Sequence, residues 1–382
     1  MGEAVSSVEA GSVGVAPFVA RVGRVAERMR ALGVDALTLS VGPDLPWLVG
    51  YEAMPLERIT MAVLLADGTC SLVVPELEAP RVVSRDHFSV IPWGETDDPI
   101  ALIVERVGEA GTIAFGDRTW SRFLIELQDR LPNRRWLRSN EVTGPLRAVK
   151  DDHEIDMLAR AGAIVDEIAV ELQQGRIPLV GRTEAEVSAD LSRRIIERGH
   201  GRVNFAIVAA GENAASPHHE AGDRRIEAGE VVLCDFGGTL FDEWGVGYCS
   251  DITRCVWTGP VPTEAARIYD LLEAAQSAGV RAATVGASCE SVDSACRDRI
   301  SAGGYGEWFI HRTGHGIGVE EHEDPYMVSG NVAAIEAGNA FSVEPGIYLP
   351  GRFGFRLEDI VVATGEGPRS LNNAPHGLAE VR

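Results

Sequence analysis

The sequence is poor in cysteine and in positive charge, and it has no long apolar run. Cysteines at 70, 234, 249, 255, 289 and 296 form no CxxC pair, which argues against a thiolate zinc site and for reduced thiols in a cytoplasmic protein. Lys and Arg number 35 against 57 Asp and Glu, a formal net charge of −22. Such a field repels nucleic acid and anionic lipid, so neither is an expected partner. No stretch reaches the roughly 20 apolar residues of a membrane span. The first residues lack the basic start and continuous apolar core of a signal peptide. Also missing are the GxGxxG and GxxxxGKS phosphate cradles and the HExxH zinc helix.

What is present is a chain of 382 residues, long enough for two domains with buried cores. Residues 1–16 read as a small-residue tail, expected to be mobile. Residues 17–145 alternate helix and strand signals and read as a small α/β domain. "PFVARVGRVAERMRALGV" has helical apolar spacing and stops at Gly33; "DALTLS", "PWLVGY", "TMAVLLADG" and "SLVVPELE" read as strands. A break is expected at 140–152. Residues 150–382 mix helices with antiparallel-looking strands and read as an α+β domain. There, Thr183 and Glu186 form a capping-box signature.

Four places in the second domain carry polar residues where a core would not. Asp235 ends the apolar run of "VVLCDFGG", where a buried charge is costly; a turn cap before Gly237 is the plain alternative. Asp251 in "GYCSDITR" sits beside Thr253 and Arg254, and a salt bridge explains it equally well. "HRTGHGIGVEEHEDP" holds His311, His315 and His322 among glycines at 314, 316 and 318 that let the backbone crowd a centre. Glu344 in "FSVEPGIY" and Glu358 in "FRLEDIVV" each fall opposite their apolar neighbours if their segments are strands, and paired strands would aim both at one spot. The alternative is two solvent-facing glutamates.

Taken together, Asp235, Asp251, His315, Glu344 and Glu358 would bring four negative charges to one pocket. Two divalent cations would cancel that charge. An oxygen-rich set with one nitrogen suits Mn²⁺, Co²⁺, Fe²⁺ or Zn²⁺. Two such ions sharing a bridging water lower its pKa enough to give a nucleophile at neutral pH.

These five segments, in this order, resemble the pita-bread metallopeptidase family, which includes methionine aminopeptidase, aminopeptidase P and prolidase. The first domain resembles the N-terminal domain of the prolidase, aminopeptidase P and creatinase branch. The resemblance implies a pita-bread catalytic domain behind a creatinase-type N-terminal domain, and a homodimer. It implies two metal ions, Mn²⁺ first, held by Asp235, Asp251, His315, Glu344 and Glu358. It assigns His218 and His322 to the substrate's scissile bond, Glu344 also to proton transfer, His311 to the pocket, and Arg356 with Thr253 to the layer behind the ligands. The activity implied is hydrolysis of Xaa-Pro bonds in dipeptides or short peptides by a metal-bridging hydroxide. A prolidase-like dipeptidase is preferred over an aminopeptidase P. A non-peptide substrate on the same metal site and a non-catalytic binding module are the competing readings.

Two features depart from the family pattern. The segment between Asp235 and Asp251 is longer than usual, through "FDEW", and either reshapes the pocket mouth or extends a hairpin. Tyr326 follows Pro325 where several prolidases place an arginine for the dipeptide's terminal carboxylate. That puts strict dipeptide specificity in question and makes Tyr326 a substrate-binding candidate.

Overall fold

The computed structural model describes residues 17–382, so the tail expected at 1–16 lies outside the described residues. The chain forms two units, the first ending at Val142 and the second beginning at Thr143.

In the first unit, α1 (Phe18–Leu32) buries one face through Phe18, Val22, Val25, Ala26 and Met29. It stops at Gly33, whose φ of 66° is open to glycine at little cost. The strands β1 (Ala36–Leu39), β2 (Met61–Leu65), β3 (Cys70–Pro75), β4 (Ser89–Trp93), β5 (Thr112–Phe115) and β6 (Arg135–Arg138) form one mixed sheet in the order β4-β3-β2-β1-β5-β6. Between them lie α2 (Asp44–Val49), α3 (Pro99–Val107) and α4 (Ser121–Arg130). The stretch "PWLVGY", expected as a strand, is instead largely α2, closed by Gly50 at φ 70°. Its Leu45, Pro46, Trp47, Leu48 and Val49 are all buried. A short run buried on every side has no period by which helix and strand can be told apart.

The units divide between Val142 and Thr143, within the stretch 140–152 where a break was expected. Helix α5 (Asn140–Ala148) runs through this division.

In the second unit, α6 (Asp152–Gln173) and α7 (Glu184–Glu197) both begin with capping boxes, on Asp151/Glu154 and Thr183/Glu186. They pack on a sheet of β7 (Arg202–Ala210), β8 (Val231–Phe241), β9 (Gly247–Cys249), β10 (Ile252–Thr258) and the C-terminal strand Ala379–Val381. Helices α8 (Thr263–Ala282) and α9 (Cys289–Ala302) follow. A second sheet joins β11 (Gly314–Gly316), β12 (Glu323–Met327), β13 (Ala340–Val343), β16 (Asp359–Thr364) and β17 (Gly367–Ser370), while β14 (Gly346–Leu349) pairs with β15 (Phe353–Arg356). The C-terminal strand is β18.

Alternation along the central strands decides which way each side chain faces. Val232, Cys234, Phe236, Ile252 and Val256 join the core under α6 and α7. Val231, Leu233, Cys255 and Trp257 join the other core, with residues of α8, α9, β13 and β16. Asp235, Asp251 and Thr253 share the parity of this second set. They lie where that face runs out of apolar cover and meets a cavity.

The "FDEW" segment forms the turn of the β8–β9 hairpin. Asp242 accepts from the backbone N–H of Trp244 at 2.9 Å and of Val246 at 2.8 Å. None of its residues lines the cavity, so the longer spacing is a hairpin extension. Among the described residues no helix is long and apolar enough to cross a membrane.

Candidate active site

The second unit holds a cavity of about 500 Å³. Asp235, Asp251, His315, Glu344 and Glu358 line it together with His218, His311, Arg312, Glu321, His322 and Arg356. Phe205, Ile207 and Pro217 supply an apolar wall.

Strand register brings the acids together. β8 and β10 pair Asp235 with Thr253, so Asp251, two residues earlier, shares their face. Glu344 and Glu358 were expected inside strands; Glu344 lies just past the end of β13, and Glu358 lies just before β16, where it forms an isolated antiparallel bridge with Thr253. Even so, Val343 pairs with Asp359 and Gly346 with Arg356, and this common register sets Glu344 opposite Glu358. His315 enters from β11, where its backbone N–H donates to Ser342 Oγ at 3.0 Å.

The glycines around His315 have a steric cause. A Cβ on Gly314 would collide with the Ser342 carbonyl oxygen, and one on Gly316 with the Asp324 carbonyl oxygen. Only glycine lets β11 lie this close to both neighbours.

The donor set fits divalent metal. Ligand atoms of Asp251, His315 and Glu358 all lie within 4.8 Å of one another. His315 Nδ1 lies 3.1 Å from the Gly316 carbonyl oxygen, which assigns its proton there and turns the Nε2 lone pair inward. That nitrogen faces Glu344 Oε1 at 3.2 Å and Asp251 Oδ2 at 3.8 Å. An acceptor facing two acceptors is stable when a cation stands among them. Asp235 Oδ1 and Asp251 Oδ1 are buried without a hydrogen-bond partner, which has the same explanation.

Titration agrees with crowded charge. Burial, then Glu358, Asp235 and Glu344, push the Asp251 carboxyl well above its usual range. Burial, then Glu344 and Asp235, do the same to Glu358. Burial also acts to raise Glu344, but His315, His311 and Arg356 outweigh it and bring it to about 2.

Behind the ligands, Arg356 Nη2 donates to Asp235 Oδ2 at 2.6 Å and its Nε donates to Thr253 Oγ1 at 3.1 Å. Thr253 Oγ1 then donates to Glu358 Oε2 at 2.7 Å. One guanidinium thus fixes one oxygen each of Asp235 and Glu358. It also donates to Tyr348 Oη at 2.9 Å, so the tyrosine proton is directed to His311 Nε2 at 2.8 Å. His311 Nδ1 lies 2.7 Å from the Arg312 carbonyl oxygen. Both nitrogens of His311 are therefore engaged by the protein, and it faces the cavity as part of the wall.

His322 stacks near His315, with ring centroids 3.8 Å apart. Burial, then the charges of His315 and others, lower its pKa to about 4, so it is neutral at pH 7. Next to it, Glu323 is buried between Arg147 and Lys150, with the Lys150 ammonium at 2.7 Å. This ion cluster fixes the start of β12.

Tyr326 does not line the cavity. It lies beneath Arg312, whose guanidinium carbon is 4.4 Å from the ring centroid. Arg312 does line the cavity and has no carboxylate partner among the described residues. Sequence reading passed over Arg312, Tyr348 and Ser342. The arginine was visible inside the quoted histidine motif, but nothing local showed which way it points.

Comparison with known proteins follows the same division of the chain. The profile of Metallopeptidase family M24 matches residues 156–365, and that of the Creatinase/Prolidase N-terminal domain matches residues 21–149. The chain is 39% identical to a probable dipeptidase PepE of Mycobacterium bovis, over 95% of this chain and 96% of that protein. It resembles the crystal structure of dipeptidase PepE from Mycobacterium ulcerans with a TM-score of 0.87 and 40% identity, covering 95% of this chain and 98% of that one. The crystal structure of a prolidase from Thermococcus sibiricus matches with a TM-score of 0.89 and 31% identity, covering 97% of this chain and all of that one, 100%.

Proposed function

The chain belongs to metallopeptidase family M24, and on that premise we propose that it is a metal-dependent dipeptidase cleaving the bond before proline in Xaa-Pro dipeptides. The observation that carries the dipeptide reading is Arg312, a cation on the cavity wall that forms no ion pair with a carboxylate among the described residues. A dipeptide brings its carboxylate within one residue of the scissile bond, and a guanidinium is the group that best matches a carboxylate.

We assign Asp235, Asp251, His315, Glu344 and Glu358 to two divalent ions, Mn²⁺ first. When bound, such ions supply Lewis acidity and a water of lowered pKa. The chain's own groups do the rest. Glu344 Oε1 accepts from Ser342 Oγ at 3.0 Å, leaving Oε2 to take a proton from the attacking water and return it to the proline nitrogen. His322 Nδ1 faces the Arg312 guanidinium at 3.5 Å, so its proton sits on Nε2 and can be donated to the developing oxyanion. His218 is a second donor to the same oxygen. Phe205, Ile207 and Pro217 give the proline ring an apolar seat. Six buried free thiols suit the reducing cytoplasm, where we place the enzyme. A homodimer is the assembly expected, to be read by sedimentation.

The test is hydrolysis of a Xaa-Pro dipeptide beside a Xaa-Pro-Xaa tripeptide by metal-free protein refilled with Mn²⁺. Preference for the dipeptide supports the reading. Preference for the tripeptide makes the chain an aminopeptidase, and inactivity on both with metal bound overturns the peptidase reading.

A further inference from the structure

His218 lines the cavity, yet its exposed side chain makes no hydrogen bond to any other described residue. Its position is set entirely through its neighbours. On one side, the Pro217 carbonyl oxygen accepts from Arg356 Nη1 at 3.2 Å. On the other, His219 Nε2 lies 2.7 Å from Glu184 Oε2. A carboxylate only accepts, so the His219 ring is the donor.

Glu184 does much more than bind His219. It is the first residue of α7, and its side chain is 0% exposed. Its Oε1 accepts from the Ala210 N–H at 2.8 Å and from Asn213 Nδ2 at 3.0 Å, and its Oε2 accepts from the Gly222 N–H at 3.4 Å. One buried carboxylate therefore ties both ends of the segment 210–222 that carries His218.

A plain helix-end acid would not need this arrangement. Thr183 and Glu186 already cap α7 by exchanging hydrogen bonds. Glu184 is surplus to that task. The helix N-terminus favours its negative charge, and all the hydrogen bonds that its side chain accepts come from the segment 210–222, His219 included.

We propose that Glu184 and His219 are positioning residues that aim His218 at the substrate. The inference rests on the role given to His218 in the dipeptidase reading. His218 is clamped through the residue on each side of it, and the Arg356 clamp also orients Asp235, so the loop and the metal-site acids share one anchor. Misplacing a catalytic side chain by about 1 Å costs up to roughly a hundredfold in rate.

The test is a double-mutant cycle on the Mn²⁺-loaded enzyme with a Xaa-Pro dipeptide. His219→Ala is expected to lower kcat by about tenfold or more, with little change in KM, melting temperature or bound metal. His219→Gln keeps an amide donor within reach of Glu184 and is expected to restore most of the activity. In a His218→Ala background, His219→Ala should cost almost nothing further. An equal loss from His219→Ala in both backgrounds overturns the inference, as does an unchanged kcat in the single variant. Should His219→Ala unfold the loop and lower the melting temperature, the activity of His219→Gln decides: full loss of activity in a stably folded His219→Gln counts against positioning by this hydrogen bond. His218→Ala with undiminished turnover would instead remove His218 from the mechanism, a separate failure read in the same cycle.

Discussion

The guanidinium of Arg312 rests on the ring of Tyr326, 4.4 Å from its centroid. The tyrosine that stands where several prolidases have an arginine thus supports an arginine that comes from another part of the motif. A guanidinium over an aromatic face is held flat and keeps its donors turned outward. Arg312 also reaches His322 Nδ1 at 3.5 Å, which places the charge beside the reacting region.

Removing that charge should separate two substrates. For Arg312→Ala, kcat/KM on a Xaa-Pro dipeptide is expected to fall roughly ten- to a hundredfold, the equivalent of one charge-assisted hydrogen bond of about 1.5–3 kcal/mol. Activity on a Xaa-Pro-Xaa tripeptide should change far less. Arg312→Lys should recover only part of the loss, because a point charge lacks the planar fork. Equal losses on both substrates would show that Arg312 serves the fold or the common chemistry instead of the terminal carboxylate.

Asp251 should show opposite effects with and without metal. Its carboxyl is pushed up by burial and by Glu358, Asp235 and Glu344, so it destabilises the metal-free fold as pH rises above the unfolded carboxylate range. Asp251→Asn is expected to raise the melting temperature of metal-free protein at pH 7 by about 2–4 °C for each kcal/mol of repulsion removed. With saturating Mn²⁺ the order should reverse, because the wild type gains binding free energy that the variant lacks. Thermal scans with chelator and with Mn²⁺ check both halves. Identical melting temperatures for the two proteins in both conditions would remove Asp251 from the metal site.

His200 gives a pH dependence away from the metal ligands. It is 2% exposed, and its Nε2 lies 3.0 Å from Ser250 Oγ while its Nδ1 has no partner. Burial lowers its pKa from 6.5 to about 4. The unfolded chain therefore takes up this proton at higher pH than the folded one. Its contribution is full above about pH 6.5 and is lost as pH falls toward 4. A shift of that size corresponds to about 3 kcal/mol. His200→Asn should flatten the loss of stability between pH 7 and pH 4.5 relative to wild type. Parallel urea-midpoint curves for the two proteins over that range would contradict the assignment.

Much of this protein is written locally in its sequence. The capping boxes at Asp151 and Thr183 specify helix starts because their partners lie three residues away. The glycines flanking His315 announce a backbone under close approach. The acids at 235, 251, 344 and 358 are conspicuous because carboxylates beside apolar runs are costly without a partner.

What the sequence left open was decided by pairing between distant segments. Strand register sets Glu344 opposite Glu358 and aligns Asp235 with Thr253, and no local pattern encodes a register across such separations. The helix at Asp44–Val49 is buried on all sides, so periodicity could not identify it. The stacking of Arg312 on Tyr326 and the reach of Glu184 to His219 depend on side-chain direction in the folded chain. The sequence by itself determined which residues could do chemistry; only tertiary structure, by closing long loops into fixed registers, decided which of them meet.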